Sequence, residues 1–436
     1  MFPFSRPTFE SSPSAASVEA GFQRTSEILG EAIMDSVSSV RDSLPEQYRA
    51  HFETLRQEII DFTKAHGISR ESLGKPDLLR EVTSKLSIQD LERFALLLER
   101  FEYLLKHKEP KEITDSLEYV EEFYHLREQY TSQVSLLEQV GILENGVTTG
   151  IDGHEYPVPT FEQIAIRLFE RRETLETKHD QGFIKLLLVP FGMSLDALKE
   201  TFKQFLLKYK KSASSFDLNA DDPLSMYKVY QGADIGNSPK LVYYPLSFTR
   251  EGHGGKTKAQ ILKEQAEERW TPASKGVVGE KGEGTPGWTV HLLQPSNPSD
   301  SYSLGFASIP KRDEEKVYGI EIPRKDFETG QTPDMYRSIL KEAQDDKDSP
   351  HHGETGMTPE DWIIASMIHL SETGKPLDDW NKGTEGGSYL TGAFFPSVVS
   401  SVPYVFWSYV RHKANIDSAS STNRNHVVGI RTAIII

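Results

Sequence analysis

The hydrophobic period changes along this chain, and that change constrains its fold more than any other feature. Leu91, Phe94, Leu98, Phe101 and Leu105 follow a three-four alternation, which draws one apolar stripe along a helix that must bury it. Ser87 and Asp90 have capping-box spacing at its start, and Leu86 and Leu91 sit where a hydrophobic staple closes the first turn. Tyr119, Phe123, Leu126, Tyr130, Val134 and Leu137 draw a second stripe after the Glu109-Pro110 break. Two stripes joined by a break predict an antiparallel helical hairpin or bundle within a helical region 18–140. A coiled coil that docks a protein partner is the other reading of the same stripes. The first 17 residues, MFPFSRPTFESSPSAAS, read as a disordered leader.

Past residue 140 the punctuation changes. Asn145-Gly146, Asp152-Gly153 and two prolines mark a boundary at 141–159, so a second domain is expected over 141–436. Thr160 and Gln163 form a capping box for a helix reaching about His179. Phe183–Pro190 suits a buried strand, and Ser194 caps a helix reaching about Lys211. Further strands are expected at Lys240–Tyr244 and Trp288–Leu293, with a mobile loop over the five glycines of 274–287. Thr332-Pro333-Asp334 and Thr358-Pro359-Glu360-Asp361 open two helices alike: Thr as N-cap, Pro at the first position, acid at the positive end of the dipole. Gly374 and Pro376 stop the second. Gly387–Phe395, Pro403–Val410 and Val427–Ile435 then read as strands of one small sheet carrying helix Thr358–Gly374, an α+β unit.

The chain of 436 residues has no cysteine, which removes disulfides, thiolate metal sites and Cys nucleophiles together. A formal charge of −16 opposes general attraction to nucleic acid or anionic membrane. The last forty residues differ: Arg411, Lys413, Arg424 and Arg431 stand against Asp417, leaving this tail at +3 and the remainder at −19. No segment approaches the roughly 18–20 apolar residues that span a bilayer, and the N-terminus lacks a signal-peptide pattern. A soluble protein, cytoplasmic as made, is expected.

Known catalytic spacings fail one by one. Gly254-Gly255-Lys256-Thr257 would need Gly rather than Arg at 250 to be a phosphate loop; a glycine turn before a helix at Lys258 is the simpler reading. Asp217, Asn219 and Asp221 open like a calcium loop, but Asp222 and Lys228 occupy its glycine and glutamate places. His351, His352, Glu354 and His369 lack metal-binding spacing, and no GxSxG occurs. No metal, cofactor or catalytic set is expected.

The distinctive stretch runs from Thr358 to Ile436: TPEDWIIASMIHLSETGKPLDDW, GGSYLTGAFFPS, VPYVFWSYVRH and VVGIRTAI. It resembles the C-terminal variable domain of diversity-generating retroelement target proteins, whose C-type lectin fold is related to formylglycine-generating (sulfatase-modifying) proteins. HEYPVPTFEQI, LLLVPFGMSLDAL and LVYYPLSF are similar to upstream parts of such targets, so the resemblance covers about residues 154–436. It implies a C-type-lectin-like domain with insertions, a variable segment 397–436, and a scaffold of Trp407, Gly429 and Arg431. It implies a ligand-binding display protein rather than an enzyme, the partner being a protein or surface ligand.

Retroelements of this kind mutate adenines, and an AAY codon changed at its first two bases never encodes Lys, Glu, Gln, Met or Trp. Between 397 and 436 these types occur only at Trp407 and Lys413, whereas 357–396 holds nine of them, from Met357 and Glu360 to Lys382 and Glu385. A β-rich segment is also poor in Lys and Glu on its own account. The expected display residues are Tyr404, Phe406, Ser408, Tyr409, His412, Asn415, Asp417, Ser420, Ser421, Asn423, Asn425 and His426, since aromatics with small polar groups make adaptable contact surfaces. The alternatives are that several of these, Phe406 among them, belong to core or turns; that the chain is a formylglycine-generating-type enzyme, whose chemistry relies on the missing cysteines; or that it is a structural assembly protein built on the helices.

Overall fold

The computed structural model describes residues 37–436 apart from 70–71, 73–74, 87, 111–114, 237–238, 244–254, 269–284, 299, 301, 310–323, 380–385 and 397–400. The expected leader, the expected Ser87 cap, most of the glycine-rich stretch and the start of the expected variable segment lie outside the described residues. The chain divides into two units, Met1–Ile113 and Thr114–Ile436.

In the first unit, helices α1 (Val37–Asp42), α2 (Arg49–Ala65), α3 (Pro76–Thr83) and α4 (Ile88–His107) bury the first stripe. Phe94 and Phe101 stack on Phe62 and Phe52 of α2, ring centroids 4.9 and 5.2 Å apart. Such offset stacks add to the burial of the rings themselves.

The second stripe falls within the unit that begins at Thr114, and it is not one helix. It breaks into α5 (Ser116–Phe123) and α6 (Leu126–Gln139) at His125, whose φ of 51° is left-handed. Both helices serve the second unit. α6 lies beside strand β3 (Lys185–Val189), an edge strand whose five residues are all buried and so need partners for every polar group. Two glutamines one helical turn apart supply them. Gln129 Oε1 accepts from Leu186 N at 2.8 Å, Gln133 Oε1 accepts from Leu188 N at 2.9 Å, and Gln133 Nε2 donates to Leu186 O at 2.7 Å. Side-chain amides thus stand in for a missing strand.

The remaining elements are β1 (Val147–Thr149), β2 (Glu155–Pro157), α7 (Phe161–Glu170), α8 (Arg172–Asp180), α9 (Leu195–Ser212), β4 (Leu224–Met226), β5 (Val242–Tyr243), α10 (Lys258–Glu268), β6 (Thr289–Leu293), α11 (Pro333–Asp345), β7 (Glu354–Gly356), α12 (Pro359–Thr373), β8 (Gly387–Tyr389), β9 (Ala393–Phe394), β10 (Ser401–Ser408), β11 (Lys413–Ser420), β12 (Val428–Ile430) and β13 (Thr432–Ile435). The class is mixed α+β. One sheet runs β3-β6-β13-β7 and the other β12-β8-β10-β11-β4, with small pairs β1-β2 and β5-β9.

α12 has both bonds of a capping box, Asp361 N to Thr358 Oγ1 at 3.2 Å and Thr358 N to Asp361 Oδ2 at 2.7 Å, and ends at Gly374 with φ 73°. It is buried from Pro359 to Leu370 and packs against α9 and against β3, in the sheet that also holds β13 of the C-terminal strands. That expected sheet also divides. Val427–Ile435 is two strands, β12 parallel to β8 in one sheet and β13 antiparallel to β6 and β7 in the other, with Arg431 at the crossing.

Gln133→Leu removes the partners of two of these groups at once, Leu188 N and Leu186 O, and should lower unfolding free energy by roughly 2–4 kcal/mol, since each buried unsatisfied group costs about 1–3 kcal/mol. Urea unfolding followed by circular dichroism measures this; a loss below about 0.5 kcal/mol would show that the edge does not need the glutamine.

Candidate functional site

β10 and β11 form a hairpin whose register sets two faces. Val405 and Trp407 lie opposite Ile416 and Ala414, and all four are buried in the main core. The alternate residues lie on the other face, Tyr404 opposite Asp417, Phe406 opposite Asn415 and Ser408 opposite Lys413; there Tyr404 packs against a second core cluster that includes Tyr336, Tyr389 and Val402, and Asn415 and Lys413 are buried. Tyr404 stacks on Phe406 at 5.1 Å and meets Tyr389 of β8 at 5.8 Å. Gly387 makes room for this: a Cβ there would stand 2.8 Å from the Tyr404 ring. Burial raises the Tyr404 hydroxyl far above the usual phenol range, helped by Tyr389, Asp417 and Asp378, and burial pushes Tyr389 up to about 12. Both stay neutral at any physiological pH.

The expected display residues do not form one patch. Tyr409 and His412 occupy the hairpin tip with Val410, which is 86% exposed. Tyr409 meets His412 at 5.8 Å, and His412, at φ 51°, has Nδ1 3.0 Å from Asp217 Oδ2. Burial pushes the nearby Asp379 carboxyl up to about 6 against the opposing pull of His412. Ser420, Asn423 and His426 are exposed at the other end of the hairpin, with Asn425 half-buried there. The ends are separated by an eight-residue strand, on the order of 26 Å. Tyr404, Phe406 and Ser408 are half-buried between them and Asp417 is exposed.

Two members leave the set. Ser421 is fully buried; its hydroxyl donates to Asp334 Oδ2 at 2.8 Å and its carbonyl accepts from Asp334 N at 3.0 Å, fastening the start of α11. Asn415 is 8% exposed and turns its amide onto Lys413 O at 3.0 Å. Composition alone cannot separate a serine that fastens a helix from one that faces solvent. Sequence reasoning also missed Tyr227, 56% exposed, whose N–H donates to Ile416 O at 2.9 Å beside Asp417. Missed too was the shallow groove lined by Gln331, Asp334, Met335, Ser338, Ile339 and Glu342 of α11 and the turn before it.

Beneath the hairpin, Trp407 packs on Phe216 with ring centroids 5.4 Å apart, and its N–H donates to Asp378 O at 2.9 Å. Asp378 is buried. Its Oδ2 accepts from Trp362 Nε1 of α12 at 2.9 Å and its Oδ1 from Arg431 Nη2 at 2.6 Å. Arg431 Nη1 donates to Ala307 O. Gly429 lies against Ile309 and Phe327, where a Cβ would stand 2.5 Å from Ile309. Nothing in the local sequence marked Asp378.

The histidines expected without metal spacing are held apart. The Glu354 carboxylate is fully buried and takes Lys178 Nζ at 2.9 Å, Thr432 Oγ1 at 2.7 Å and Arg324 Nη2. Arg324 and these other partners hold it well below the usual carboxylate range despite burial. His351 bridges Glu354 and Asp326, His352 bonds Ala343 O, and His369 Nδ1 accepts from Phe306 N at 3.0 Å. Among the described residues no group of three or more His, Asp or Glu side chains could hold a metal ion, and no helix is long and apolar enough to cross a membrane.

No protein-family model, curated protein or solved structure matches this chain.

Asp378→Ala strands a buried guanidinium, and Trp407→Ala empties core volume. Each should cost roughly 3–5 kcal/mol, whereas Tyr409→Ala should stay within about 0.5 kcal/mol. Thermal melting of the three variants separates the classes, and equal losses would contradict the division into scaffold and surface.

His369 is lowered to about 3 by burial, then by Arg431, Lys185 and Lys375. The unfolded chain therefore binds the extra proton first as pH falls. The stability tied to this neutral ring is complete above about pH 6.5 and declines progressively toward pH 3. His369→Asn keeps an acceptor for Phe306 N and should flatten the pH dependence of unfolding between pH 6.5 and 3; an unchanged slope would remove His369 from the account.

Proposed function

We propose that this chain is a ligand-binding protein whose C-terminal α+β unit is lectin-like and presents a face diversified through adenine mutagenesis. The observation that carries the reading is the composition step at the variable segment. Within 397–436 the residue types an altered AAY codon cannot encode occur only at Trp407, which is core, and Lys413, which pairs with Asp222. Tyr409, Asp417, Ser420, Asn423 and His426 are exposed and lie on a hairpin whose inner face is fastened through Trp407, so they can change without disturbing what holds it. Tyr404, Phe406 and Tyr227 add aromatic area that costs little entropy to order. The ligand is a protein or another surface molecule, and the helices of the first unit serve attachment or a second partner. A chain without cysteine lacks the thiols on which formylglycine generation relies.

The test is tolerance. Randomising Tyr409, His412, Asp417, Ser420, Asn423 and His426 together with NNY codons should leave most members of a surface-displayed library protease-resistant. The same randomisation at Trp407, Gly429 and Arg431 should unfold most of them. Equal loss of folded members in both libraries would end the reading. So would the source genome holding no reverse-transcriptase gene beside a near-copy of the codons for 397–436 that differs at adenines.

A further inference from the structure

Three ionisable side chains remote from the outward face meet deep in the second unit. Lys258, which opens α10, and Glu360 of α12 are 0% exposed, and Asp234, in the turn after Lys228–Tyr230, is 2% exposed. Lys258 Nζ stands 2.6 Å from Asp234 Oδ2 and 2.8 Å from Glu360 Oε1, and donates to Met193 O at 2.6 Å. The Tyr243 hydroxyl donates to the same Glu360 oxygen at 2.6 Å. The rings of Phe191 and Tyr243 lie 5.2 and 5.6 Å from Nζ. Leu195 N, at the first position of α9, donates to Asp234 Oδ2 at 2.9 Å.

As an ion pair this cluster is incomplete. Two carboxylates against one ammonium carry an uncompensated negative charge into a site closed to water, which is costly. Asp234 Oδ1 and Glu360 Oε2 are buried with no hydrogen-bond partner among the described residues. As a set of reactants it is complete: an amine, a carboxyl carbon beside it, a second carboxyl to carry protons, and an N–H on the oxygen that would receive charge.

We infer that Lys258 and Asp234 become joined, once the chain has folded, by an intramolecular amide bond formed with Glu360 as proton carrier. One proton first moves from Nζ to Asp234 Oδ1, leaving a neutral amine beside a neutral acid. The two carboxylates favour the charged lysine, so the reactive pair is a minor state, but reaching it changes no net charge and low polarity favours neutral partners. The Nζ lone pair attacks Cγ, and the negative charge goes to Oδ2, where Leu195 N–H at the positive end of α9 receives it. Glu360 takes a second proton from Nζ and passes it to Oδ1. The C–O bond breaks, water leaves, the carbonyl re-forms and Glu360 is again a carboxylate. Amine and acid give amide and water, with no oxidant, reductant or cofactor, and fixed placement supplies the effective concentration.

The bond would tie the segment carrying Tyr230 to α10. Tyr230 donates to Asp417 O at 2.6 Å, so the tied segment is also bonded to strand β11.

Intact-mass spectrometry of the purified full chain tests this, with tryptic mapping. Lys240, Arg250 and Lys256 lie between the two positions, so trypsin severs the intervening chain. The expected result is a mass lighter than the sequence by one water, and a branched species joining Val229–Lys240 to Thr257–Lys263 with no cleavage after Lys258. Glu360→Gln and Lys258→Arg should each give the full sequence mass, with circular dichroism confirming fold. Wild-type protein at full sequence mass, or a water loss that maps elsewhere, such as Asp152-Gly153, overturns the inference. A branched species persisting in Glu360→Gln overturns the role of Glu360. The wild-type measurement decides the matter even if a variant fails to fold.

Discussion

The carboxylate of Asp378 is the junction on which the second unit depends. It holds Trp362 of α12 through one oxygen and Arg431 through the other, while its own carbonyl takes the N–H of Trp407. A helix, the outward hairpin and the chain crossing between two sheets are thereby referred to one residue. Trp362, Trp407 and Arg431 each bring a polar N–H into an apolar interior, which is tolerated only when it finds an acceptor. The buried acid answers the Trp362 indole and neutralises the guanidinium, and the backbone carbonyl of the same residue answers the main-chain N–H of Trp407.

That junction lets an outward face exist on a short hairpin. Strands pack through alternate residues, so Val405, Trp407, Ala414 and Ile416 commit to the core and their neighbours are released from it. The release is uneven. Tyr404 is half-buried because it leans over Gly387, Asn415 turns inward, and Ser421 is spent on α11. What remains exposed is the hairpin tip, Asp417, and the loop at the far end.

Charge is handled differently inside the unit than outside it. Glu354, among Lys178, Arg324, His351 and Thr432, is surrounded by donors and stays ionised. The cluster of Lys258, Asp234 and Glu360 has acceptors left over. Buried ionic groups favour folding only when their partners are complete, so the first is a structural tie and the second is a site with chemical potential to spend.

The sequence alone determined the elements that rest on local chemistry. The capping boxes at Thr160 and Thr358, the Ser194 cap, the Gly374 stop and the buried strand before Pro190 all stand where side chain and backbone meet within a few residues. It also determined which stripe of α4 is apolar. Tertiary structure decided the rest, because those outcomes depend on residues far apart in the chain. The second stripe broke at His125, where α5 turns toward α7 and α6 must reach β3 with Gln129 and Gln133. Val427–Ile435 is one apolar run by composition, yet it serves two sheets, because Arg431 in its middle has its counter-charge at Asp378, 53 residues earlier. Serine at 420 and serine at 421 are identical to any reading of pattern; only the position of Asp334, 87 residues before Ser421, sends one to solvent and the other into the core.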